Sequence, residues 1–576
     1  MRIARTNTVL KGRAIAGTHV VVLAWDFRGK VRVHRLRGLL GFAIERSEYG
    51  PSGAPLETYW LRGIKRFRDK DKGLPAGTPV SSAEHPIQTF QWGDYTAKAG
   101  RRYRYRIVPV YGQPKKLVLD AAAALALPVR TETDSSPGSS PGATAGSGSA
   151  GAARHDVHFN RGVIGSQAYA RDFGNAAPDV GDPHSPAMKW LSHGLFEGLM
   201  GFIARAEDQR FALRAAVYEF HYQPVVNAFA AAVEAGADVK IVYDAASAYK
   251  AGNEAAIAAA GLDQHGAVIR RTVTSGLRHN KFIVLVKGDV AQGVWTGSTN
   301  ISAGGIFGHS NVGHVVWDRA VAARYLEYWE RLAQNLTDTK LRPLNSAATP
   351  TPVARPPKNS VTPLFSARDA RVASVPPPTL QWYADRMADA KRLVCFTVAF
   401  NLDAVFQQVL ARENDVLRYV IKDDPLASGE TLGVDRDVIF ATGSRLGPGW
   451  WANFLAERGN PLNSNDYIHT KFMLVDPLSN DPLVVSGSAN FSRPSQWSND
   501  ENMLVIRGDT RVADIYFGEY MRVFDHHYAR YIVRKLREEG QSNPDAGYLK
   551  EDPEAWTRAH FDPKSYKSKR RRYFVG

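Results

Sequence analysis

The chain has 576 residues, of which 44% are hydrophobic and 23% are charged, which indicates a folded protein of roughly two to four domains. Its single cysteine, Cys395, excludes disulfide bonds within the chain and a metal site built from several cysteines. The formal net charge of +16 is concentrated at the two ends. Residues 1–120 contain 23 Lys and Arg against 9 Asp and Glu, and the last 16 residues contain 6 against 1.

Basic ends of this kind favour binding to a polyanion. We therefore expect nucleic acid or an anionic membrane surface as a partner of the N-terminal module and the tail. The alternative is that the charge only keeps the surface soluble. The sequence has no apolar stretch of the ~18 residues that span a membrane and no apolar core of a signal peptide. We expect a cytoplasmic monomer, with export by a route that reads no such signal as the alternative.

The first 133 residues show a β pattern, with short apolar runs separated by turn residues. In the run "RRYRYRIVPVYG", Tyr103, Tyr105 and Ile107 alternate with arginines, which predicts one packed face and one basic face. With Trp25 early and Tyr-x-Tyr late, the segment resembles a fibronectin type III sandwich. Another kind of β-sandwich is the alternative.

The rest of the chain reads as two similar halves. Each contains a helix, a strand, a helix and a strand before a polar motif, which predicts α/β sheets covered on both faces. Gly, Ser and Pro dominate the segments between the modules, as they do in linkers. The predicted boundaries are a sandwich at 1–133, a flexible linker at 134–154, the first half at 155–344, a Pro-rich linker at 345–378, the second half at 379–545 and a basic tail at 546–576.

The polar motif occurs once in each half with the same spacing. In both copies the spacing is counted from a histidine. A lysine stands two residues after the histidine, a Gly-Ser pair begins eighteen residues after it, and an asparagine stands twenty-one residues after it. Self-similarity of this kind is stronger evidence than either motif alone. The residues are His279, Lys281, Ser298 and Asn300 in the first copy, and His469, Lys471, Ser488 and Asn490 in the second.

The spacing has a geometric explanation. Each histidine and lysine lie two apart at the start of an apolar strand, so both side chains project from one face. The Gly-Ser-x-Asn stretch ends the next strand, where hydroxyl and amide groups can bind oxygen atoms. Two such copies facing each other would surround a tetrahedral anion.

The paired H-x-K and G-S-x-N motifs resemble those of the phospholipase D superfamily. The family pattern places an aspartate after H-x-K, and Asp476 fits it, but Val286 occupies that place in the first copy. Glu501 resembles the family's downstream carboxylate, whereas the matching region of the first copy offers Asn311. The resemblance covers residues 155–540 and implies two phospholipase D-like α/β halves that form one catalytic body.

The resemblance implies metal-independent cleavage of a phosphodiester without a cofactor. His279 would attack phosphorus to form a phosphohistidine, and His469 would donate a proton to the leaving oxygen. The reverse assignment remains open, because Glu501 follows His469 in the sequence and would orient it. The implied catalytic residues are His279, Lys281, His469, Lys471, Asp476 and Glu501, and the implied phosphate-binding residues are Ser298, Asn300, Ser488 and Asn490.

The sequence leaves three functions open. The first is hydrolysis of a phospholipid head-group ester, which the presence of both copies in one chain favours by resemblance. The second is a metal-independent nuclease of the same superfamily, with nucleic acid held by the basic ends. The third is a polyanion-binding or membrane-binding protein whose site is impaired, since the first copy lacks both carboxylates.

Overall fold

The computed structural model describes residues 1–133, 154–372, 374–423, 438–462, 468–540 and 547–576. The predicted linker therefore lies outside the described residues except for Arg154, which begins a strand instead. None of the described helices is both long and apolar enough to cross a membrane.

The N-terminal module is a sandwich of two antiparallel sheets. Four strands pair in the order β1-β2-β3-β8, and the second sheet runs β10-β9-β4-β5 with β11 also paired to β9. Along β9 the tyrosines 103 and 105 are buried while Arg102 and Arg104 are exposed, as their alternation predicts. The two-sheet sandwich is confirmed, and its likeness to fibronectin type III stays a prediction. The elements are β1 (Arg2–Thr6), β2 (Leu10–Ala16), β3 (Val21–Phe27), α1 (Arg32–Leu36), β4 (Gly41–Tyr49), β5 (Pro55–Trp60), β6 (Arg62–Gly63), β7 (Val80–Ser81), β8 (Gln91–Asp94), β9 (Arg102–Gln113), β10 (Lys116–Leu119) and β11 (Leu125–Arg130).

The first half is a mixed seven-stranded sheet with the order β12-β18-β17-β16-β13-β14-β15. The predicted helix, strand, helix and strand before the motif are α4, β13, α5 and β14. The elements are β12 (Arg154–Phe159), α2 (Gln167–Phe173), α3 (Pro186–Ser192), α4 (Leu195–Ile203), β13 (Phe211–Val217), α5 (Gln223–Glu234), β14 (Asp238–Asp244), α6 (Lys250–Ala259), β15 (Val268–Arg271), β16 (Lys281–Lys287), β17 (Val290–Gly297), β18 (Val312–Trp317), α7 (Arg319–Ala333) and α8 (Asp338–Ala348).

The second half repeats this topology strand for strand, with the order β19-β25-β24-β23-β20-β21-β22. The predicted α/β halves are thereby confirmed. The expected linker at 345–378 differs from the structure, because α8 extends into it and β19 lies within it. Apolar residues in β19 pair with β25 and complete the sheet. The elements are β19 (Ser360–Ser366), α9 (Pro378–Ala388), β20 (Leu393–Val398), α10 (Ala404–Leu410), β21 (Leu417–Lys422), β22 (Val438–Thr442), β23 (Phe472–Val475), β24 (Leu483–Gly487), α11 (Arg493–Trp497), β25 (Glu501–Arg507) and α12 (Thr510–Glu538).

One hydrophobic core joins the two halves. Phe282 of β16 and Phe472 of β23 both belong to it, together with aromatic side chains from α7 and α12. The rings of Tyr328 and Phe365 stack across the halves at a centroid distance of 4.4 Å. Cys395 is completely buried in the same core, as its apolar surroundings in the sequence predict. Burial of this shared surface fixes the halves against each other.

The C-terminal residues, predicted as a basic tail, contain two helices. They form α13 (Pro553–Phe561) and α14 (Tyr566–Val575), which pack against each other. Trp556 is buried among the aromatic side chains of the sandwich, and Arg571 forms a buried ion pair with Asp26. Apolar packing and charge pairing therefore fold this segment onto the sandwich.

The sandwich also packs directly on the second half. Arg2 forms an ion pair of 2.6 Å with Asp514 of α12. Tyr95 donates a hydrogen bond of 2.9 Å to Asp525, which Arg570 of α14 also contacts at 2.9 Å. The sandwich, α12 and α14 therefore contact one another. Several of the basic residues counted in the sequence form ion pairs within the fold.

Candidate active site

The structure brings His279 and His469 together between the two halves. Each stands two residues before the lysine of its motif, where the chain enters β16 or approaches β23. Their ring centroids are 6.5 Å apart and the ring planes are inclined by 71°. Both side chains are at least 94% buried. The two motifs therefore contribute to one enclosed site.

The two lysines occupy equivalent positions in this site. The Nζ atom of Lys281 donates a hydrogen bond of 2.6 Å to the carbonyl of His279, and Lys471 does the same to His469 at 2.6 Å. Burial lowers the pKa of Lys281 to about 8. Its Nζ also lies 5.1 Å from the centre of the Tyr218 ring. Each ammonium group is held beside its histidine, where an anion between the halves would meet both.

Each histidine is oriented by a residue of the opposite half. Nδ1 of His279 lies 2.9 and 3.0 Å from the carboxylate oxygens of Glu501. Nδ1 of His469 lies 2.9 Å from Oδ1 of Asn311. Asn311 stands before β18 and Glu501 begins β25, so they are topological equivalents. The sequence expectation that Glu501 orients His469 is wrong, because these strand ends face the other half.

Glu501 is completely buried and is held by three donors. Ser488 donates to one oxygen at 2.7 Å, while Ser495 and Asn499 donate to the other at 3.3 and 3.2 Å. The Glu501 carboxylate accepts a hydrogen bond from Nδ1–H of His279, which leaves the lone pair of Nε2 free.

The two motif serines act on the orienting residues. Ser488 contacts Glu501, and Ser298 donates a hydrogen bond of 2.7 Å to Oδ1 of Asn311. This differs from the phosphate-binding role that the sequence predicts for both. Each serine lies directly after the strand next to the orienting residue, so its hydroxyl reaches that neighbour instead of the space between the histidines.

The motif asparagines remain candidates for phosphate binding. Asn300 donates a hydrogen bond from Nδ2 to Glu219, and Asn490 lies on the corresponding loop of the second half. In both, Oδ1 is buried without a hydrogen-bond partner among the described residues. Buried polar atoms without partners are costly, but an amide oxygen accepts hydrogen bonds, so Oδ1 would meet a donor on a substrate, and only the Nδ2 group of each asparagine could donate to a phosphate oxygen.

Asp476 lies away from the histidines, at the far end of β23. Its carboxylate accepts hydrogen bonds from the backbone amides of residues 391, 392 and 393, at 2.7, 2.8 and 3.0 Å. These amides lead into β20, so Asp476 fixes the pairing of β20 with β23. The catalytic role predicted for Asp476 is not supported, and Val286 at the equivalent place removes nothing from the site.

Burial keeps both histidines uncharged in the absence of an anion. It lowers the pKa of His279 to about 4, although Glu501 acts in the opposite direction. Burial and the neighbouring Lys471 lower the pKa of His469 well below its ordinary value. An uncharged His279 is suited to attack. A phosphate anion between the rings would raise the pKa of His469 and allow it to carry a proton.

Three neighbours of the site were missed in the sequence. Tyr218 packs its ring 5.0 Å from the ring of His279, and His309 lies 5.3 Å from His469. Glu219 contacts Asn300. Tyr218 and Glu219 directly follow β13, and His309 lies two residues before Asn311. Polar residues directly after a buried strand were the available signal.

A buried ion cluster joins the segments that carry His279 and Glu501. Asp500 contacts Arg271 at 2.9 Å and Arg278 at 3.3 Å, and all three side chains are almost fully buried. The backbone amide of Asp500 also donates to the carbonyl of Leu277 at 2.8 Å. The residues directly before the histidine and directly before its carboxylate are thus bound to each other.

A family model described as "Cardiolipin synthase, PLD-like domain" matches residues 199–333. The chain contains a phospholipase D-like domain. The match includes the complete first motif, and the second half repeats its sheet order and its site residues. The predicted α/β fold class is confirmed, and the predicted resemblance to phospholipase D-like domains is confirmed for residues 199–333. Within the described residues, no group of three or more His, Cys, Asp or Glu is arranged to hold a metal ion.

The solved structures that are similar to this chain have low sequence identity to it. Polyphosphate kinase from Porphyromonas gingivalis is 10% identical with a TM-score of 0.38; the match covers 62% of this chain and 55% of the kinase. Phosphatidylserine synthase from Haemophilus influenzae is 13% identical with a TM-score of 0.41, over 60% and 91%. Nuc from Salmonella typhimurium, a phospholipase D family member, is 22% identical with a TM-score of 0.22, over 32% and 95%. A comparison with curated proteins gave no match.

Proposed function

We propose that this protein hydrolyses a phosphodiester in two steps through a phosphohistidine, with a phospholipid head-group ester as substrate. The observation that carries the proposal is the unequal pair of histidines across one buried site. His279 is oriented by a carboxylate and His469 by an amide, with the rings 6.5 Å apart. This arrangement supplies one histidine to attack and one to transfer protons.

In the first step Nε2 of His279 attacks phosphorus, and the bond to the leaving oxygen breaks. Protonated His469 gives its proton to that oxygen, so the alcohol leaves uncharged. Glu501 stabilises the positive charge that develops on the imidazole ring of His279. Lys281 and Lys471 stabilise the negative charge on the non-bridging oxygens. In the second step His469 removes a proton from water, which attacks phosphorus and releases His279.

The impaired-site alternative loses its main support. It depended on the absence of a carboxylate from the first half, but Glu501 of the second half contacts His279 directly. The place of Val286 is occupied in the second half by Asp476, which binds backbone amides outside the site. Neither difference between the two copies removes a group from the surroundings of His279.

The test is to trap the covalent intermediate. The His469→Ala variant is mixed with a nitrophenyl phosphodiester, whose leaving group needs no proton, and the protein is analysed by peptide mass spectrometry. We expect phosphoryl label on the peptide that contains His279, because the base for hydrolysis is absent. His279→Ala serves as the control and should carry no label. Label on His469 in wild type would reverse the assignment, and no label on either histidine would contradict covalent catalysis.

A further inference from the structure

Three arginines of the sandwich project from one side of a sheet without a countercharge. Arg102 and Arg104 lie on β9 and Arg130 lies on β11, and all three side chains are exposed. Of the residues that the structure describes, none with a carboxylate lies within ion-pair distance of these three. We infer that this surface, which we call the arginine face, binds the anionic surface of a lipid bilayer.

The placement of these arginines is unfavourable for the sheet by itself. In the register of β11 with β9, Arg130 stands directly opposite Arg102. Side chains in that position lie ~5 Å apart at Cβ, and like charges there destabilise a sheet. Arg104 adds a third charge on the same face, ~7 Å along the strand from Arg102. An anionic partner would compensate this repulsion.

Protection of a sheet edge does not account for the whole arrangement. β11 pairs with β9 alone, and charged residues and prolines on such an edge strand oppose pairing with another chain. Arg130 and the exposed Pro128 suit that purpose. β9 is paired on both sides, with β4 on one and with β10 and β11 on the other. Arg102 and Arg104 therefore protect no edge.

An exposed leucine lies next to the arginine face. Leu56 is 61% exposed and is the extra residue of a β-bulge between β4 and β5. Its side chain lies over Gly50, where an added Cβ would be 3.1 Å from Cδ2 of the leucine. Arg102 donates a hydrogen bond of 2.6 Å to the carbonyl of the same glycine. An apolar side chain and guanidinium groups are therefore neighbours on this surface.

This combination favours a bilayer over nucleic acid. Each basic residue near an anionic lipid surface strengthens binding about fivefold, and an exposed leucine gains from burial at the acyl boundary. Proteins that bind single-stranded nucleic acid stack its bases on exposed aromatic rings. Tyr49 and Trp60 are directed to the same side of this sheet but are only partly exposed, and Arg106 covers the Trp60 ring at 5.6 Å.

The test measures co-sedimentation of the full chain with lipid vesicles. One set contains phosphatidylcholine alone, and the other contains phosphatidylcholine mixed with phosphatidylserine. We expect binding to the mixed vesicles and not to phosphatidylcholine. Raising the salt from about 0.1 M to about 1 M should abolish binding, because the Debye length falls from ~10 to ~3 Å. Equal binding to both sets of vesicles would contradict the inference.

Charge reversal on the arginine face should weaken binding without harming the fold. We expect Arg104→Glu to bind the mixed vesicles at least about fivefold more weakly, and Arg104→Glu combined with Arg130→Glu at least about 25-fold more weakly. The combined variant should resist urea at least as well as wild type, because a carboxylate opposite Arg102 replaces a like charge. Wild-type binding in either variant would overturn the inference.

Arg319→Glu is the matched control for Arg104→Glu, because both change the net charge of the chain equally. Arg319 is exposed at the first position of α7, where an acidic residue is favourable. This variant should bind the mixed vesicles within about twofold of wild type, since its charge lies outside the arginine face. A loss as large as that of Arg104→Glu would show that only the net charge matters and would overturn the inference.

Leu56→Ser distinguishes a bilayer from nucleic acid. It should weaken vesicle binding about threefold to tenfold and leave the salt dependence unchanged, because it removes an apolar contact and no charge. Tighter binding to a single-stranded oligonucleotide than to the mixed vesicles, unaffected by Leu56→Ser, would identify nucleic acid as the partner and overturn the inference.

The inference goes beyond the proposed function and can fail independently of it. Cleavage of a soluble nitrophenyl phosphodiester reports the reaction alone, and Arg104→Glu should leave its rate unchanged. If the vesicles are bound as expected but no diester is cleaved, the proposed function fails and the arginine face stands. If the diester is cleaved but the mixed vesicles are not bound, the arginine face fails alone.

Discussion

Glu501 of the second half holds His279 of the first, with its two carboxylate oxygens 2.9 and 3.0 Å from Nδ1. His469 of the second half is hydrogen-bonded to the neutral amide of Asn311 instead. The two copies of the motif are alike in their histidines and lysines and differ in what orients each histidine. Under the proposed mechanism this difference gives unequal roles to two residues that the sequence repeats, and the contacts make the surroundings of each histidine dependent on both halves.

Glu501→Gln is expected to lower kcat by on the order of 10²–10⁴-fold, because the amide keeps the size of the side chain but loses its charge. The charge fixes the tautomer of His279 and stabilises its developing cation. KM should change little, since Glu501 is buried behind the histidine. Asn311→Ala is the matched variant for His469 and should cost less on a nitrophenyl ester, whose leaving group needs no proton. Equal losses in both variants would contradict the assigned roles.

Asp476→Ala is expected to lower stability without removing catalysis. The aspartate satisfies three backbone amides before β20, and their loss should reduce the free energy of unfolding by about 1–3 kcal/mol. Urea unfolding measures this change, and kcat per folded molecule should stay within about threefold of wild type. Asp476→Asn retains part of the acceptor capacity, so its free energy of unfolding should lie between those of wild type and Asp476→Ala. A stable but inactive Asp476→Ala protein would restore the catalytic role predicted from the sequence.

Asp500→Asn is expected to destabilise the protein strongly, by about 3–5 kcal/mol, because Arg271 and Arg278 would remain buried without a countercharge. Urea unfolding at neutral pH is again the measurement. Asp172→Asn is the matched control, since Asp172 pairs with Arg171 at the surface, where both side chains are about 40% exposed. The control should change stability little. Similar effects of the two substitutions would show that the buried cluster does not hold the halves.

The protein is expected to lose stability as the pH falls below about 6.5. In the folded state burial lowers the pKa of His279 to about 4 and that of His85 to about 4. In the unfolded chain both recover the ordinary value near 6.5. Unfolding therefore takes up protons between pH 6.5 and 4. As the pH falls through this range, the free energy of unfolding decreases by up to ~1.4 kcal/mol per pH unit for each such histidine.

Urea unfolding at pH 7.5, 6, 5 and 4.5 measures this dependence. His85→Gln provides a control outside the active site, because His85 lies in the sandwich and accepts a hydrogen bond from the amide of Phe67. The variant should show a weaker loss of stability with acid than wild type. A stability that is constant or rises between pH 6.5 and 4.5 would contradict the lowered pKa values.

The sequence by itself determined the repeat and its chemistry. Identical spacing from histidine to lysine and to asparagine fixed which side chains leave the same strand face, since that follows from the two-residue period of a strand. The alternation of Tyr103 and Tyr105 with arginines likewise fixed the buried face of β9. Such features depend on neighbours along the chain, so local geometry suffices to predict them.

Only the tertiary structure decided which half provides the residue that orients each histidine. Glu501 and Asn311 have the same place in the topology, and nothing near either residue in the sequence states that its strand end faces the opposite half. The same holds for Asp476, whose amide partners lie more than 80 residues earlier, and for Arg571, whose partner Asp26 is at the other end of the chain. These pairings arise when apolar surfaces of separate segments are buried together, and burial of that kind carries no signal in local spacing.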